Sequence, residues 1–251
     1  MTRIAAVADI HVGVDSEGRV AAGLQHVNER ADLLLLGGDL TRCGEPVEAE
    51  VVARELAGVE IPIVAVLGNH DHHAGQPADV VGILEGAGVT VLDGTGTTVR
   101  LDGTTVGVAG GKGFGGGFAG ANATAFGEPV MKAFVEETKR EAARLHEALM
   151  EVRPRADRVI ALLHYAPVPE TLRGERLEIY PFLGSHLLAE AIDTAGADLV
   201  IHGHAHNGTE RGVTPGGIRV RNVAQPVIQH AYRIYDLGEP LAREAPVAAT
   251  A

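Results

Sequence analysis

The chain opens with three short apolar runs, at residues 4–8, 33–36 and 61–67, separated by stretches at 21–30 and 46–56 in which apolar residues recur at helical spacing. Apolar runs of this length suit strands buried on both faces, and helical crossovers between them predict parallel neighbours. Asp9, Asp39 and Asn69 follow the runs at intervals of 30 residues. That interval holds one strand, one crossover helix and the return to a parallel neighbour. Each polar side chain thus falls at a strand's C-terminal end, the edge where open α/β sheets gather ligands.

Further along, a helix is expected at 78–85. Residues 97–101 and 104–108 flank Asp102-Gly103, a favoured two-residue hairpin turn, which predicts antiparallel strands added to the sheet. A glycine-dense loop at 110–120 precedes a helix at 129–152 with Val130, Phe134, Leu145, Leu149 and Val152 on its core-facing stripe. Strands at 159–163, 199–201, 218–223 and 231–237 and a helix near 185–195 complete the pattern. The fold class expected is α/β, with one domain over 1–239 and an Ala- and Pro-rich tail at 240–251 that frays.

Composition narrows the possible roles. A hydrophobic content of 45% in 251 residues supports one large core. The net charge of -12 argues against a nucleic-acid partner, which would call for a basic face. It leaves room for a small phosphorylated substrate, because bound divalent cations invert the field inside an acidic cleft. Cys43 is the single cysteine, so no intrachain disulfide forms. No run reaches the length of a membrane span, and Asp9 and His11 interrupt the first apolar run too early for a signal peptide. The cytoplasm is the expected compartment, and no coiled-coil repeat indicates an oligomeric state.

Five segments end apolar runs with metal-binding side chains: Asp9-Ile10-His11, Gly37-Gly38-Asp39, Gly68-Asn69-His70-Asp71, Leu163-His164 and Gly203-His204-Ala205-His206. Carboxylate, amide oxygen and imidazole are hard and borderline ligands, and two cations need about seven of them in one cleft. Any one segment alone is unspecific. In an extended Asp9-Ile10-His11 both side chains lie on one side. Asp39, central in the order of motifs, is the natural bridge between two ions. Asp71 is expected to fix the His70 tautomer, and His72 and His73 to stay solvated or behind the ligands. His202 alternates with His204 and His206 and is given a supporting place. Gly111-Lys112-Gly113-Phe114-Gly115-Gly116 satisfies a dinucleotide fingerprint literally. Because glycines continue past it where a helix should open, a mobile flap with Lys112 touching substrate is the better functional reading. Arg173 and Arg176, in the segment between His164 and Gly203, are candidates for a second phosphate or a carboxylate.

In order and content the five blocks resemble the calcineurin-like metallophosphoesterase superfamily, over residues 9–206. The resemblance implies two packed mixed β-sheets flanked by helices, a four-layer α/β/β/α sandwich. It also implies Asp9, His11, Asp39 and His206 on one metal ion and Asp39, Asn69, His164 and His204 on the other, with Mn, Fe and Zn all compatible with such donors. The implied reaction is hydrolysis of a small-molecule phosphodiester or phosphomonoester by a metal-bridging hydroxide, with His70 assisting the leaving group. Gly38-Asp39-Leu40-Thr41, Gly44-Glu45-Pro46 and Gly68-Asn69-His70-Asp71 look most like the small cyclic-nucleotide-phosphodiesterase branch. The alternative is a catalytically silent scaffold of the same fold that binds a protein partner.

Overall fold

The computed structural model describes residues 2–237; the tail expected to fray at 240–251 lies outside the described residues. The first part alternates strands and helices: β1 (Arg3–Val7), α1 (Arg19–Leu24), α2 (Val27–Arg30), β2 (Leu33–Gly37), α3 (Pro46–Leu56), β3 (Ile63–Val66), α4 (Pro77–Gly86) and β4 (Val89–Leu92). There follow β5 (Thr95–Leu101), β6 (Thr104–Gly111), β7 (Gly117–Phe118), β8 (Ala121–Asn122), α5 (Pro129–Val152) and β9 (Arg158–Leu163). The chain then runs through α6 (Tyr180–Leu183), α7 (His186–Ala195), β10 (Leu199–His202), β11 (Arg211–Val213), β12 (Arg219–Asn222), α8 (Gln225–Ile228) and β13 (Arg233–Asp236).

Among the described residues two large mixed sheets form, in strand orders β13-β1-β2-β3-β4 and β11-β12-β10-β9-β6-β5. β1 to β4 are parallel, as the 30-residue spacing requires, and β13 closes the edge antiparallel to β1. The second sheet has a parallel centre of β6, β9, β10 and β12 with antiparallel β5 and β11 outside. Alternation along its strands shows how the layers stack. Ile160 and Leu162 of β9, with Leu199 and Ile201 of β10, join the core of the first sheet. Val159, Ala161, Leu163 and Val200 face the other way, onto Leu145 and Leu149 of α5 and Leu188 and Ile192 of α7. Helix, sheet, sheet and helix therefore make four layers. Apolar burial at about 25 cal/mol per Å² over both interfaces is the main stabilising contribution.

Several expectations need correction. The hairpin around Asp102-Gly103 forms, but β6 pairs with β9, so it belongs to the second sheet. The stretch 21–30 breaks into two short helices at His26, whose φ of -112° and ψ of 9° leave the helical region. In α5 the buried stripe is Val135, Thr138, Ala142, Leu145, Leu149 and Val152. Val130 lies out of phase with that series by one residue, about 100° around the helix, and is 70% exposed. The glycine-dense segment is no exposed flap, since Gly113 and Gly115 to Phe118 are buried and β7 pairs with β8.

The start of α1 depends on a side chain from α3. No side chain of its own caps the helix. Glu55, buried at 4% exposure, instead accepts hydrogen bonds from Gly18 N, Val20 N (2.7 Å) and Ala21 N (2.9 Å). Burial opposes its charge, but these donors hold its pKa below the usual carboxylate value. A depressed folded pKa means that its stabilisation is present above the unfolded value and fades as pH falls below it. Glu55→Ala is expected to lower stability by about 2 kcal/mol, because three buried donors lose their acceptor. The deficit should shrink below about pH 4 in thermal melts, as wild type and variant converge.

Candidate metal centre

All five segments lie where strands end. Asp9 and His11 follow β1, Asp39 follows β2, Asn69 follows β3, His164 follows β9, and His204 and His206 follow β10. The chain does not continue extended at these points. Asp9 (φ 58°), His11 (φ 43°), Asp39 (φ 51°) and His204 (φ 70°) all adopt left-handed backbone conformations, which cost a non-glycine residue about 1–2 kcal/mol each. Hydrogen bonds offset part of that cost: Asp9 N donates to Gly38 O (3.0 Å) and His11 N to Asp39 O (3.1 Å). Gly68 and Gly203 allow the close approach that results, since a Cβ on Gly68 would overlap Asp39 and one on Gly203 would overlap Asp9 Oδ2.

Two groups of donors converge, each with its ligand atoms within 4.8 Å of one another: Asp9, His11, Asp39 and His206, and then Asp39, His164 and His204. Asp39 is common to both. Its Oδ2 lies 3.8 Å from His11 Nε2 and its Oδ1 3.3 Å from His164 Nε2. Asn69 Oδ1 is 3.0 Å from His164 Nε2 and so joins the second group. In the first group His206 Nε2 sits 2.8 Å from Asp9 Oδ1 and 3.4 Å from His11 Nε2. Tetrahedral ligands with bonds of about 2.1 Å stand about 3.4 Å apart, so these histidines have the spacing of a shared ion. The donor set therefore fits divalent cations.

Hydrogen bonds fix several rings. His164 Nδ1 donates to Gly37 O (2.9 Å), which leaves Nε2 for Asp39 and Asn69. His204 Nε2 donates to Phe182 O (3.3 Å), leaving Nδ1 for the cleft. Burial opposes charge on His164, yet the Asp39 carboxylate beside it drives its pKa up to about 9. Burial likewise opposes charge on Asp39, while His164 and the His70 N–H hold it well below the usual range. Burial pushes His204 down to about 3 and lowers His11, whereas the hydrogen bond to Asp9 raises His206.

The remaining candidates separate. His70 stands beside the first group, its ring 4.6 Å from that of His11, and its Nδ1 donates to Arg42 O (2.7 Å). Asp71 does not orient it. The Asp71 carboxylate is fully buried and accepts from Leu40 N (3.2 Å), Thr41 N (2.8 Å), Thr41 Oγ1 (2.6 Å) and Gly68 N (2.7 Å). It braces the loops carrying Asp39 and Asn69. His202 shares no face with His204, because the strand ends there and its ring turns inward. Burial lowers its pKa to about 4, its Nδ1 donates to Gly203 O, and the Thr171 hydroxyl meets Nε2.

Lys112 is held rather than mobile. Its carbonyl accepts from His164 N and Tyr165 N, and its ammonium donates to Gly113 O over the rings of Phe114 and Tyr165. Arg173 and Arg176 are exposed and outside both donor groups. Two participants carried no signal of their own in the sequence. One is the Arg42 carbonyl, a backbone atom; the other is Tyr165, whose ring centroid lies 4.3 Å from that of His204.

Comparison with known proteins agrees with this geometry. A family model described as calcineurin-like phosphoesterase matches residues 2–208. A glycerophosphodiester phosphodiesterase of Enterobacter lignolyticus is 34% identical over 55 residues, a match that spans 22% of this chain and only 20% of that relative. The solved structure of a phosphopantetheinyl hydrolase from Mycobacterium tuberculosis superposes with a TM-score of 0.61 at 16% identity, covering 98% of this chain and 99% of that one. A putative 5'-nucleotidase from Staphylococcus aureus gives a TM-score of 0.56 at 16% identity, over 88% of this chain and 48% of that one. At these identities the structural likenesses establish the fold.

The state of His164 makes a measurable prediction. In metal-free protein its imidazole stays protonated up to a pKa of about 9, and a cation requires it neutral. Metal uptake at pH 7.5 should therefore release protons, and affinity should rise about tenfold per pH unit up to that value. Titration calorimetry in buffers of different ionisation enthalpy checks this, and uptake without proton release would contradict it.

Proposed function

The chain belongs to the calcineurin-like phosphoesterases, which makes it a metal-dependent phosphoric ester hydrolase, and on that premise we propose a dinuclear centre that hydrolyses a small-molecule phosphoester. Asp9, His11, Asp39 and His206 hold one ion, and Asp39, Asn69, His164 and His204 hold the other. The observation that carries this reading is Asp39: one buried carboxylate belongs to both donor groups, with an oxygen turned toward each. When bound, such ions neutralise phosphoryl charge and make a water acidic enough to attack at neutral pH.

The side chains account for the rest of the chemistry. His70 is free of both donor groups and stands at the mouth of the first. Because the Arg42 carbonyl can only accept, His70 Nδ1 carries the proton and Nε2 is left for substrate. A protonated Nε2 can donate to the leaving oxygen as the ester bond breaks. Asp71 supports this indirectly by holding Gly68 and Thr41 on either side of Asp39. Lys112, next to His164 in space, is positioned to meet substrate oxygens at the edge of the cleft. The phosphodiesterase and nucleotidase names among the similar proteins support a small phosphodiester or monoester as substrate.

Turnover of bis(p-nitrophenyl) phosphate or p-nitrophenyl phosphate should vanish on complete metal removal and return with Mn, Fe or Zn. His70→Ala should lower kcat by about 10²-fold or more while leaving metal content unchanged, as expected for a group that moves a proton. Asp39→Asn should instead reduce the metal content itself. Full activity in His70→Ala would remove the assigned role, and hydrolysis that depends on His70 excludes a silent scaffold.

A further inference from the structure

Arg173, which the sequence suggests for substrate, belongs to a different place. It stands at the rim of a cavity of about 500 Å³, within the usual range for small-molecule sites. None of the cavity's lining residues is one of the candidate metal ligands. The well is formed by Phe118, Pro167, Val168, Ala189, Gly212 and Thr214, all buried, so its floor is apolar apart from one hydroxyl. The rim carries both signs of charge: Arg173 and Arg211 together with Glu170 and Glu190. Among the described residues neither the Arg173 nor the Arg211 guanidinium is tied to a protein carboxylate. Glu190 has only a loose contact with His186, at 3.8 Å.

An apolar well with two unsatisfied guanidiniums and two carboxylates on its rim is matched by a ligand with an apolar body and both charges at one end. We propose that this cavity binds a free α-amino acid with a large apolar side chain, as a site separate from the metal centre. The side chain fills the well between Phe118, Val168 and Ala189. The carboxylate meets Arg173 and Arg211, where charge-assisted bonds are strongest, and the ammonium meets Glu170 and Glu190. A singly charged amphiphile would leave one sign of the rim unmatched.

The absence of tryptophan from the chain makes L-tryptophan a direct fluorescent probe. Metal-stripped full-length protein is titrated into L-tryptophan and polarisation followed, which removes chelation of the amino acid as a source of signal. Saturable binding is expected. N-acetyl-L-tryptophan and tryptamine, each lacking one charge, should bind at least about tenfold more weakly, as loss of a charge-assisted contact implies. Ala189→Phe fills the well and should abolish binding with the circular dichroism spectrum unchanged; if it fails to fold, Val213→Phe at the half-buried lip tests the same point. Arg211→Gln should weaken L-tryptophan while leaving tryptamine unaffected. Lack of saturable binding, equal binding of either derivative, or binding that survives the filled cavity would overturn the proposal. None of these outcomes alters phosphoesterase turnover, so the two readings fail separately.

Discussion

A buried carboxylate governs how the two sheets meet. Asp39 is 1% exposed, and an ionised group at that depth is tolerated only when it is paired and hydrogen-bonded. Its partners come from different places: the His70 amide from the loop after β3, the His164 ring from the second sheet, and the His11 ring from the loop after β1. Satisfying one side chain therefore draws three loops and both sheets together. The glycines and left-handed residues around it follow from that demand, because an extended chain leaving β2 could not present the carboxylate to all of them.

Much of this was readable in the sequence because the requirements are local. An apolar run ended by Asp, Asn or His states both that a strand stops and that something polar waits at its end. Three such ends 30 residues apart imply parallel strands, and the structure supplies β1, β2 and β3 in that register. What the sequence could not show is which side chains reach across. Asp71 sits next to His70 in the chain yet turns to the backbone of Thr41 and Gly68, because the short helical turn at 70–72 points adjacent residues in different directions. His202 shares a parity with His204 but not a face, since the strand ends between them. The hairpin's sheet was equally hidden, because pairing of β6 with β9 is a contact across some 50 residues that no turn signal encodes.

The same separation of local from distant information explains the fate of the arginines. A charged residue between two ligand blocks is near them in sequence, and Arg173 lies 9 residues after His164. In space the turn at Pro169–Leu172 intervenes, with Thr171 directed inward to His202 and Glu170 lining the outer cavity. One short turn thus presents one face to the layer behind the metal centre and the other to a second concavity.

The last strand of the first sheet has a consequence for the order in which the molecule is completed. β13 covers β1 from residues 233–236, although β1 itself is made at the very start. As the chain leaves the ribosome, β1 to β4 can assemble early, but with a bare backbone edge and an apolar face that the second sheet has yet to cover. His206, the last candidate ligand, arrives long after Asp9 and His11. For most of synthesis the nascent chain therefore carries an open strand edge of the kind that pairs with neighbouring chains. Its protection until the final thirty or so residues emerge is a task for the translating cell rather than for the fold.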